Sequence, residues 1–445
     1  MTELCPITTS PTRLALKILG DDDLLRVHAA ALALLGAEGA AAEKAARLAP
    51  DTVVLGGRVF EHHTVLGAKH CWLGTGGPAA LLRPREGGDP RPAIAADLDE
   101  ACRLADALPE VAVVYGPPVH AAGETLLTEL ARCFAATSKH IQLTTLRSAE
   151  EADAVLRMAI AVAGSDVEVR GRPPVSLCAG AGAGALGAAS VFARAGLPVG
   201  VVAAPNGRPA GAADQADLGA ALVRHHAGVL AACAAIQAAA PGAPFFYVAD
   251  PALAGLAAGS PEAAMFQIAA TQLGAHIGLP VSAVGMTTGS HEPDWQACTQ
   301  NAFAALSTMA AGADLTAGAG ALSGGDVFSA QQLVMDSEIF SWNARLVAGV
   351  MVDEETIALD AIRQVDICGN FLGQRHTRRH MKDVWRPRLL DRSMWDAWVA
   401  SGREGAYEKA SELVDKHLAE HQVFPLGNGV TETLAGIVAA AKGLY

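Results

Sequence analysis

From residue 70 to residue 348, short apolar runs alternate with longer segments of helical periodicity. Each run ends at or just before Gly, Pro, Asn, Asp or Thr, a pattern typical of strands that are buried on both faces of a parallel sheet. The eight predicted strands are His70–Gly74, Val111–Tyr115, Ile141–Thr145, Val175–Ala179, Val199–Ala203, Phe245–Ala249, Val281–Gly285 and Leu315–Ala317. The predicted helices are Asp97–Leu108, Gly123–Ala136, Ala149–Val162, Ala185–Ala195, Asp214–Ala239, Pro261–Ile277, Asp294–Ala311 and Ser329–Ala348.

Eight strand–helix units in succession favour an α/β fold with a closed (β/α)8 TIM barrel over an open doubly wound sheet. A Rossmann fold would also need the Gly-x-Gly-x-x-Gly pattern after its first strand and an acidic residue about 20 positions later. Here Gly180, Gly182 and Gly184 follow the fourth strand. We predict that these glycines allow a helix to pack closely on a strand.

The barrel is expected to span residues 70–350, between two extensions. Residues 1–69 predict a helix pair within Asp21–Leu48 and a hairpin in 51–68. Residues 351–445 predict a helical extension that covers the barrel mouth. Its predicted helices are Glu354–Val365, Met394–Ser401, Ala406–Glu420 and Thr431–Ala441.

Composition excludes several classes of protein. The formal charge of −13 disfavours nucleic-acid binding, because an acidic chain repels phosphates. The eight cysteines are scattered with no Cys-x-x-Cys pair, so zinc ribbons and iron–sulfur clusters lack support. Neither a signal-peptide apolar region nor an uninterrupted apolar run of about 20 residues is evident. We therefore expect a cytoplasmic, soluble protein. We also expect it to form homo-oligomers.

The carboxyl ends of barrel strands carry the active site in TIM barrels, and their residue types here limit the chemistry. No Lys ends a predicted strand, so Schiff-base chemistry is unsupported. Asp250 is the one carboxylate at a strand end, whereas glycosidases and two-metal hydrolases need more. Tyr115 ends the second strand, and we predict that its hydroxyl lies in the mouth.

The segment Cys368–Arg388 is cationic and aromatic within a chain dominated by small apolar residues. His376 and His380 have the i,i+4 spacing of metal ligands on a helix, but no strand-end His supplies a third ligand. Arg375, His376 or Arg378 could instead recognise an anion. A solvated, salt-bridged helix is the further alternative.

Several motifs resemble the trimethylamine methyltransferase superfamily of corrinoid-dependent methyltransferases, in order along nearly the whole chain. They include the turn Gly74-Thr75-Gly76-Gly77-Pro78 and the run Trp385-Arg386-Pro387-Arg388. The other matching segments are Val27-His28 through Gly39, Ala101–Pro109, Gln332–Ile339, Val352–Thr356, and Phe371-Leu372-Gly373 with His376-Thr377 and His380.

This resemblance implies a barrel whose mouth receives a methylamine and a corrinoid protein. Founding members place pyrrolysine in the barrel, whereas this sequence holds only the twenty standard residues. It therefore resembles the non-pyrrolysine branch, which includes glycine betaine methyltransferase and uses quaternary amines. The implied cofactor is a corrinoid (cobalamin), carried by a partner protein or supplied free, with no metal bound directly. The Asp-x-His-x-x-Gly motif for cobalt ligation is absent from the sequence.

A quaternary ammonium needs aromatic faces and a carboxylate around it, and the carboxylate of a betaine needs a cationic or amide anchor. We predict Phe371 and His376 as the most inward residues of the cationic segment. Gln374 and the segment Ser290–Gln296 depart from the family pattern and leave the choice of betaine open. Candidates for the ammonium are Tyr115, Phe246, Tyr247 and Asp250, and those for the anchor are Arg375, His376, Gln332 and Asn206.

Two other functions stay open from the sequence. One is a metal-assisted lyase or hydrolase, which the scarcity of strand-end ligands and carboxylates disfavours. The other is a betaine-binding protein that has no catalytic activity.

Overall fold

Eight parallel strands close into a barrel in the computed structural model, which describes residues 6–9, 11–144, 146–203, 218–365 and 369–444. The barrel consists of β3 and β6 to β12, and β12 pairs with β3 to close it. The predicted (β/α)8 fold is therefore confirmed. In chain order the strands are β1 (Val53–Leu55), β2 (Thr64–Leu66), β3 (Trp72–Thr75), β4 (Leu81–Leu82), β5 (Arg91–Pro92), β6 (Val111–Gly116), β7 (His140–Leu143), β8 (Val175–Gly180), β9 (Val199–Val202), β10 (Phe245–Ala249), β11 (Val281–Ala283), β12 (Leu315–Ala319), β13 (Ala321–Leu322) and β14 (Val327–Phe328).

Helices surround the barrel close to the predicted bounds. The predicted start of one helix at Asp214 lies outside the described residues, which resume at Leu218. The helices are α1 (Asp21–Leu35), α2 (Gly39–Ala46), α3 (Ala95–Ala107), α4 (Leu126–Ala136), α5 (Ala149–Ala163), α6 (Asp166–Gly171), α7 (Ala183–Ala195), α8 (Leu218–Ala239), α9 (Pro261–His276), α10 (Trp295–Ala311), α11 (Ala330–Val347), α12 (Glu354–Ile357), α13 (Leu359–Gln364), α14 (Arg375–His380), α15 (Trp395–Ala400), α16 (Ala406–Glu420) and α17 (Val430–Ala440).

Alternation along each strand divides the core in two, because successive side chains point to opposite faces. Phe245 and Tyr247 pack outward against the helices, whereas Phe246 and Val248 belong to a separate cluster inside the barrel. Phe246 pairs in register with Gly200 on β9. A Cβ atom at Gly200 would overlap the Phe246 ring, so glycine is required there.

The N-terminal extension closes one end of the barrel. The antiparallel hairpin β1–β2 contributes Val53, Leu55 and Leu66 to the interior cluster. Beside it, Gly56 N donates to Pro173 O, which precedes β8, so the hairpin lies at the amino-terminal ends of the strands. The interior can therefore open to solvent at the carboxyl-terminal mouth.

Two short connections build a small sheet at the mouth. The segments that follow β3 and β12 form β4, β5, β13 and β14, in the order β13-β14-β4-β5. This sheet lies at the mouth because both segments leave the barrel at the carboxyl ends of their strands.

The C-terminal extension lies along the side of the barrel. Helix α16 packs on α11 and α3, and α17 packs on α5 and α4. Arg388 pairs with Glu110, which precedes β6 at the amino-terminal end of the barrel. The described hydrogen bonds of this extension reach Glu338 on α11 and Arg85, which lies between β4 and β5 of the mouth sheet. That the extension covers the mouth itself stays a prediction.

Within the part of the chain that the structure describes, two stretches are long and apolar enough to cross a membrane by length and composition alone, Asp21–Ala46 and Leu218–Ala239. The second is α8 of the helical layer, and α1 and α2 of the first pack against it. Core helices of soluble proteins have the same composition, so these stretches are weak evidence for a membrane.

Candidate active site at the barrel mouth

Tyr115 crosses the interior of the barrel near the carboxyl end of β6. Its hydroxyl lies 3.3 Å from Oγ of Ser282 on β11, and the side chain is buried. A Cβ atom at Gly74 would approach the Tyr115 ring to 3.1 Å, so glycine on β3 leaves room for this ring. Burial raises the pKa of Tyr115 above its ordinary value, and the phenol is therefore neutral at physiological pH.

A polar layer lies deeper in the barrel. His140 Nε2 lies 2.8 Å from Oγ of Ser176, and that hydroxyl donates to Gln142 Oε1 at 3.4 Å. Burial lowers the pKa of His140 to about 4, so the imidazole is neutral. This layer supplies polar contacts beneath the mouth without adding a net charge.

Asp250 follows β10 directly and faces the same interior. Burial, with the nearby charge of Asp250, raises the pKa of the Cys178 thiol to about 12. The same carboxylate raises the pKa of Tyr115 as a smaller effect than burial. Asp250 is half-buried, and its Oδ1 accepts a hydrogen bond from Ala252 N at 2.9 Å. The barrel interior thus holds the aromatic side chains of Tyr115 and Phe246 beneath the carboxylate of Asp250, which lies at the mouth.

Tyr247 lies outside this interior. Its ring packs between β10 and the helices, and its hydroxyl lies 3.3 Å from Nδ1 of His226 on α8. The structure therefore separates Tyr247 from Phe246, although the two are neighbours in the sequence. Asn206 lies outside the described residues.

Gln332 lies next to the carboxylate that holds a loop at the mouth. Its Nε2 donates to Oδ1 of Asp336 at 2.8 Å, and Oδ2 of Asp336 accepts from Gly320 N at 2.8 Å. Gly320 joins β12 to β13 at the mouth. Asn301 Nδ2 also donates to Asp336 Oδ1, and burial raises the pKa of Asp336 to about 7. Gln332 thus contacts the carboxylate that positions the loop.

Phe371, Arg375 and His376 are not brought to the mouth. His376 Nε2 lies 2.9 Å from the carbonyl oxygen of Glu355, beyond the C-terminal end of α11. All three residues lie in the α14 region or directly before it, and none is buried. The contacts of this region join it to the segment after α11, a helix that begins at the mouth and runs toward the amino-terminal ends of the strands.

A cavity of about 730 Å³ that sequence reasoning missed lies beside the mouth. The loops after β6, β7 and β8 line it, together with Leu177 and Ala179 from the outward face of β8. His120 Nδ1 lies 3.0 Å from Oε2 of the buried Glu129, whose hydrogen bond raises the pKa of His120. In the sequence, the feature that could have pointed to these cavity residues is their position shortly after a strand.

The structure does not support the prediction that Gly180, Gly182 and Gly184 allow close strand–helix packing. A Cβ atom at Gly180, Gly182 or Gly184 would meet no atom within 4 Å. Close strand–helix packing therefore does not require glycine at these positions. The glycines leave an open lip at the start of α7.

Among the described residues, no group of three or more His, Cys, Asp or Glu side chains is arranged to hold a metal ion. The rings of His376 and His380 are tilted to each other with centroids 4.5 Å apart, and His380 Nδ1 lies 2.8 Å from Asp383 Oδ2. This pair contributes to a salt-bridged helix end.

Residues 25–443 match the family model described as trimethylamine methyltransferase (MTTB). The chain belongs to this family. It is 30% identical over 423 residues to the trimethylamine methyltransferase MttB of Desulfitobacterium hafniense, covering 91% of this chain and 83% of that protein. These observations confirm the resemblance seen in the sequence.

Other relatives match over about half of their length. A trimethylamine methyltransferase MttB of Methanosarcina barkeri is 33% identical, covering 57% of this chain and 52% of that protein. A glycine betaine methyltransferase of D. hafniense is 32% identical, covering 48% of this chain and 46% of that protein. A crystal structure of the M. barkeri monomethylamine methyltransferase (MtmB) aligns with a TM-score of 0.48 at 11% identity, covering 92% of this chain and 89% of that chain.

Proposed function

We propose that this methyltransferase-family protein moves a methyl group from a quaternary amine, glycine betaine or a related betaine, to the Co(I) of a corrinoid. The corrinoid is carried by a partner protein or supplied free. The observation that carries the proposal is the barrel interior, where the rings of Tyr115 and Phe246 lie beneath the carboxylate of Asp250 at the mouth. A tetraalkylammonium has no N–H to donate, so aromatic faces and negative charge are what bind it.

The chemistry of the leaving group agrees with the residues present. When the methyl group leaves, the carbon–nitrogen bond breaks and its electron pair stays on nitrogen. The departing tertiary amine is neutral without gaining a proton, so no general acid is needed. The raised pKa of Tyr115 keeps it a neutral phenol that can line the site without titrating.

The corrinoid supplies the nucleophile when it is present. The interior is too full to hold its ring, because the Phe246 side chain extends to Gly200 on the next strand. Approach from outside is open at the Gly180–Gly184 lip. The polar lining of the neighbouring cavity includes His120, Thr144 and Arg147 together with the carboxylates of Glu124, Glu129 and Glu151.

The chain's own residues would orient the substrate and exclude water. Asp250 and the two aromatic rings hold the ammonium with one methyl group toward the mouth. The hairpin residues Val53, Leu55 and Leu66 seal the opposite end of the barrel. We retain Asn206, which follows β9 in sequence, as the proposed anchor for the betaine carboxylate. Arg375, His376 and Gln332 have no such role in this proposal.

The test is to mix the purified protein with free cob(I)alamin and follow the Co(I) absorbance. The panel contains glycine betaine, other betaines, tetramethylammonium and trimethylamine. We expect Co(I) to be consumed with one or more quaternary amines and not with trimethylamine. Stabilisation of the fold by betaines without any methylation would favour a binding protein, and a stoichiometric metal needed for activity would favour a metal-assisted enzyme.

A further inference from the structure

The glycine-rich turn after β3 is built around the segment that carries Tyr115. A Cβ atom at Gly74 would approach the Tyr115 ring to 3.1 Å. One at Gly77 would lie 2.6 Å from the carbonyl oxygen of Pro117, in the loop after β6. Between these two glycines, Thr75 Oγ1 accepts a hydrogen bond from Tyr115 N at 2.9 Å. The turn that resembles the family therefore contacts the carboxyl end of β6 at three positions, a role that the proposed chemistry does not use.

The hydroxyl of Thr75 meets a backbone donor where the pairing of β3 with β6 ends. This pairing shifts its register, and its last pair is Gly74 with Val113. Beyond that pair, the N–H of Tyr115 faces the Thr75 side chain. Thr75 is fully buried and Tyr115 is 5% exposed, so water cannot replace the hydroxyl as a partner. Loss of this hydroxyl would leave a buried N–H group unpaired, and β6 would shift to relieve it.

Ser282 holds the other end of the same side chain. Its Oγ lies 3.3 Å from the Tyr115 hydroxyl, and the side chain of Ser282 is fully buried. In the closed barrel β12 and β3 lie between β11 and β6, so the Tyr115 side chain spans the interior from one strand to the other. The backbone of Tyr115 is thus fixed by Thr75 and its hydroxyl by Ser282. Together these two contacts set the direction of the ring face.

The direction of that face matters for a cation. The attraction between an ammonium and an aromatic ring acts over the face and requires the cation within about 6 Å of the ring centroid. A ring that tilts or slides therefore loses part of this attraction even when it stays in the site. Thr75 and Ser282 are themselves fully buried, so a ligand in the mouth does not reach them.

We propose that Thr75 and Ser282 are positioning residues, which hold the Tyr115 ring where it binds a quaternary ammonium. This role rests on the proposed function, because it requires the Tyr115 ring to contact the substrate. Neither residue contacts the substrate, and each acts through Tyr115. The threonine of the family turn thereby has a function in recognition of the ammonium.

The experiment measures affinity for tetramethylammonium and for glycine betaine by titration calorimetry, which requires no methyl transfer. Thr75→Val keeps a similar shape but removes the hydroxyl, and we expect affinity for both ligands to fall about threefold as the ring moves. Thr75→Ser keeps the hydroxyl and should restore the wild-type affinity to within about twofold. The matched control is Thr271→Val, which removes a buried hydroxyl that donates to the Gln267 carbonyl within α9 and should leave affinity unchanged.

A second set of variants tests whether the effect passes through the ring. Ser282→Ala removes the other contact and should lower affinity about twofold, and it also tests the proposal if Thr75→Val does not fold. In a Tyr115→Leu background the ring is absent, so neither Thr75→Val nor Ser282→Ala should weaken binding further. In the cob(I)alamin assay, both single variants should raise KM and leave kcat unchanged.

Three results would overturn the proposal. The first is wild-type affinity in Ser282→Ala and in a folded Thr75→Val protein. The second is a loss of affinity that persists in full in the Tyr115→Leu background, since the effect would then not pass through the ring. The third is a Thr75→Ser protein that binds as weakly as Thr75→Val.

The same measurements separate this proposal from the proposed function. Binding that depends on Thr75 and Ser282, without methylation of Co(I) by any quaternary amine, would contradict the methyltransferase and leave the positioning role in place. A wild-type protein that binds neither tetramethylammonium nor glycine betaine would overturn both.

Discussion

Arg388 Nη2 lies 3.0 Å from Oε1 of Glu110, and this ion pair ties the C-terminal extension to the amino-terminal end of the barrel. The same guanidinium lies 3.3 Å from Oε2 of Glu338 on α11. Both carboxylates are buried, and Ser337 donates its hydroxyl to Glu110. The Trp-Arg-Pro-Arg run that resembles the family therefore has a structural role in this protein.

Arg388→Gln should destabilise the protein. The change leaves two buried carboxylates without their cation, and we expect a loss of about 1 to 2 kcal/mol, because the arginine itself is one-third exposed. The free energy of unfolding in urea measures this loss. Arg386→Gln removes the same charge two residues away from an exposed position and serves as the control. Equal stability of both variants would contradict the structural role.

Asp336 should make stability depend on pH. Its pKa is about 7 in the folded protein, above the ordinary value of 3.8. The folded protein therefore binds a proton that the unfolded chain does not, between about pH 4 and pH 7. The stabilising contribution is complete below pH 4 and is lost as pH rises through 7. A proton on Asp336 also provides a donor near Asn301 Oδ1 and Gln332 Oε1, which lack hydrogen-bond partners.

The measurement for Asp336 is the free energy of unfolding against pH for the wild type and Asp336→Asn. Buried histidines make stability depend on pH in the opposite direction. The pKa of His140 is lowered to about 4, so the stability that this residue contributes is lost as pH falls. The difference between the two proteins isolates Asp336. The advantage of the wild type should shrink as pH rises from 4 to 8, and a difference that is constant across this range would disprove the assignment.

Phe246 and Phe245 provide a matched test of the site, because both are fully buried neighbours on opposite faces of β10. Either change to Leu should cost about 1 to 2 kcal/mol of stability. Phe246→Leu alone should also raise KM for a quaternary amine by about fivefold, since a cation–aromatic contact contributes about 1 kcal/mol. Steady-state kinetics in the cob(I)alamin assay measures KM for each of the two variants. An equal rise in KM for both variants would remove Phe246 from the site.

Asp250→Asn should weaken substrate binding by about tenfold, a loss of about 1.4 kcal/mol, because it removes the negative charge at the mouth. It should also lower the pKa of the Cys178 thiol, which the Asp250 charge raises. The rate of thiol alkylation against pH gives that second reading independently of activity. Asp326→Asn, an exposed carboxylate in the mouth sheet, is the control and should leave both readings unchanged.

The strands were predictable because their signal is local. A run such as Val199–Val202 is apolar at every position, as a strand buried on both faces must be. Because every position is apolar, the sequence does not show which residues point into the barrel and which point toward the helices. Phe245, Phe246 and Tyr247 are three consecutive aromatic residues. The sequence therefore offered both Phe246 and Tyr247 as candidates for the ammonium site, although alternation along the strand allows only one of these two rings to point inward. Register in the closed barrel decides in favour of Phe246.

The position of the C-terminal extension could not be read from the sequence. Its cationic residues suggested a role at the mouth, yet their partners are Glu110, Glu338 and Glu355, which are distant in sequence. Such long-range pairs depend on the packed fold. The cavity beside β8 depends on it in the same way, because three separate loops line it.

The most direct test of the proposed chemistry is product stoichiometry. The protein is incubated with a reactive betaine, such as glycine betaine, and free cob(I)alamin, and the amine and corrinoid products are quantified by mass spectrometry. Transfer of one methyl group predicts equal amounts of the demethylated tertiary amine and the methylated corrinoid. A demethylated amine without methylated corrinoid, or no reaction with any quaternary amine, would contradict the proposed methyltransferase.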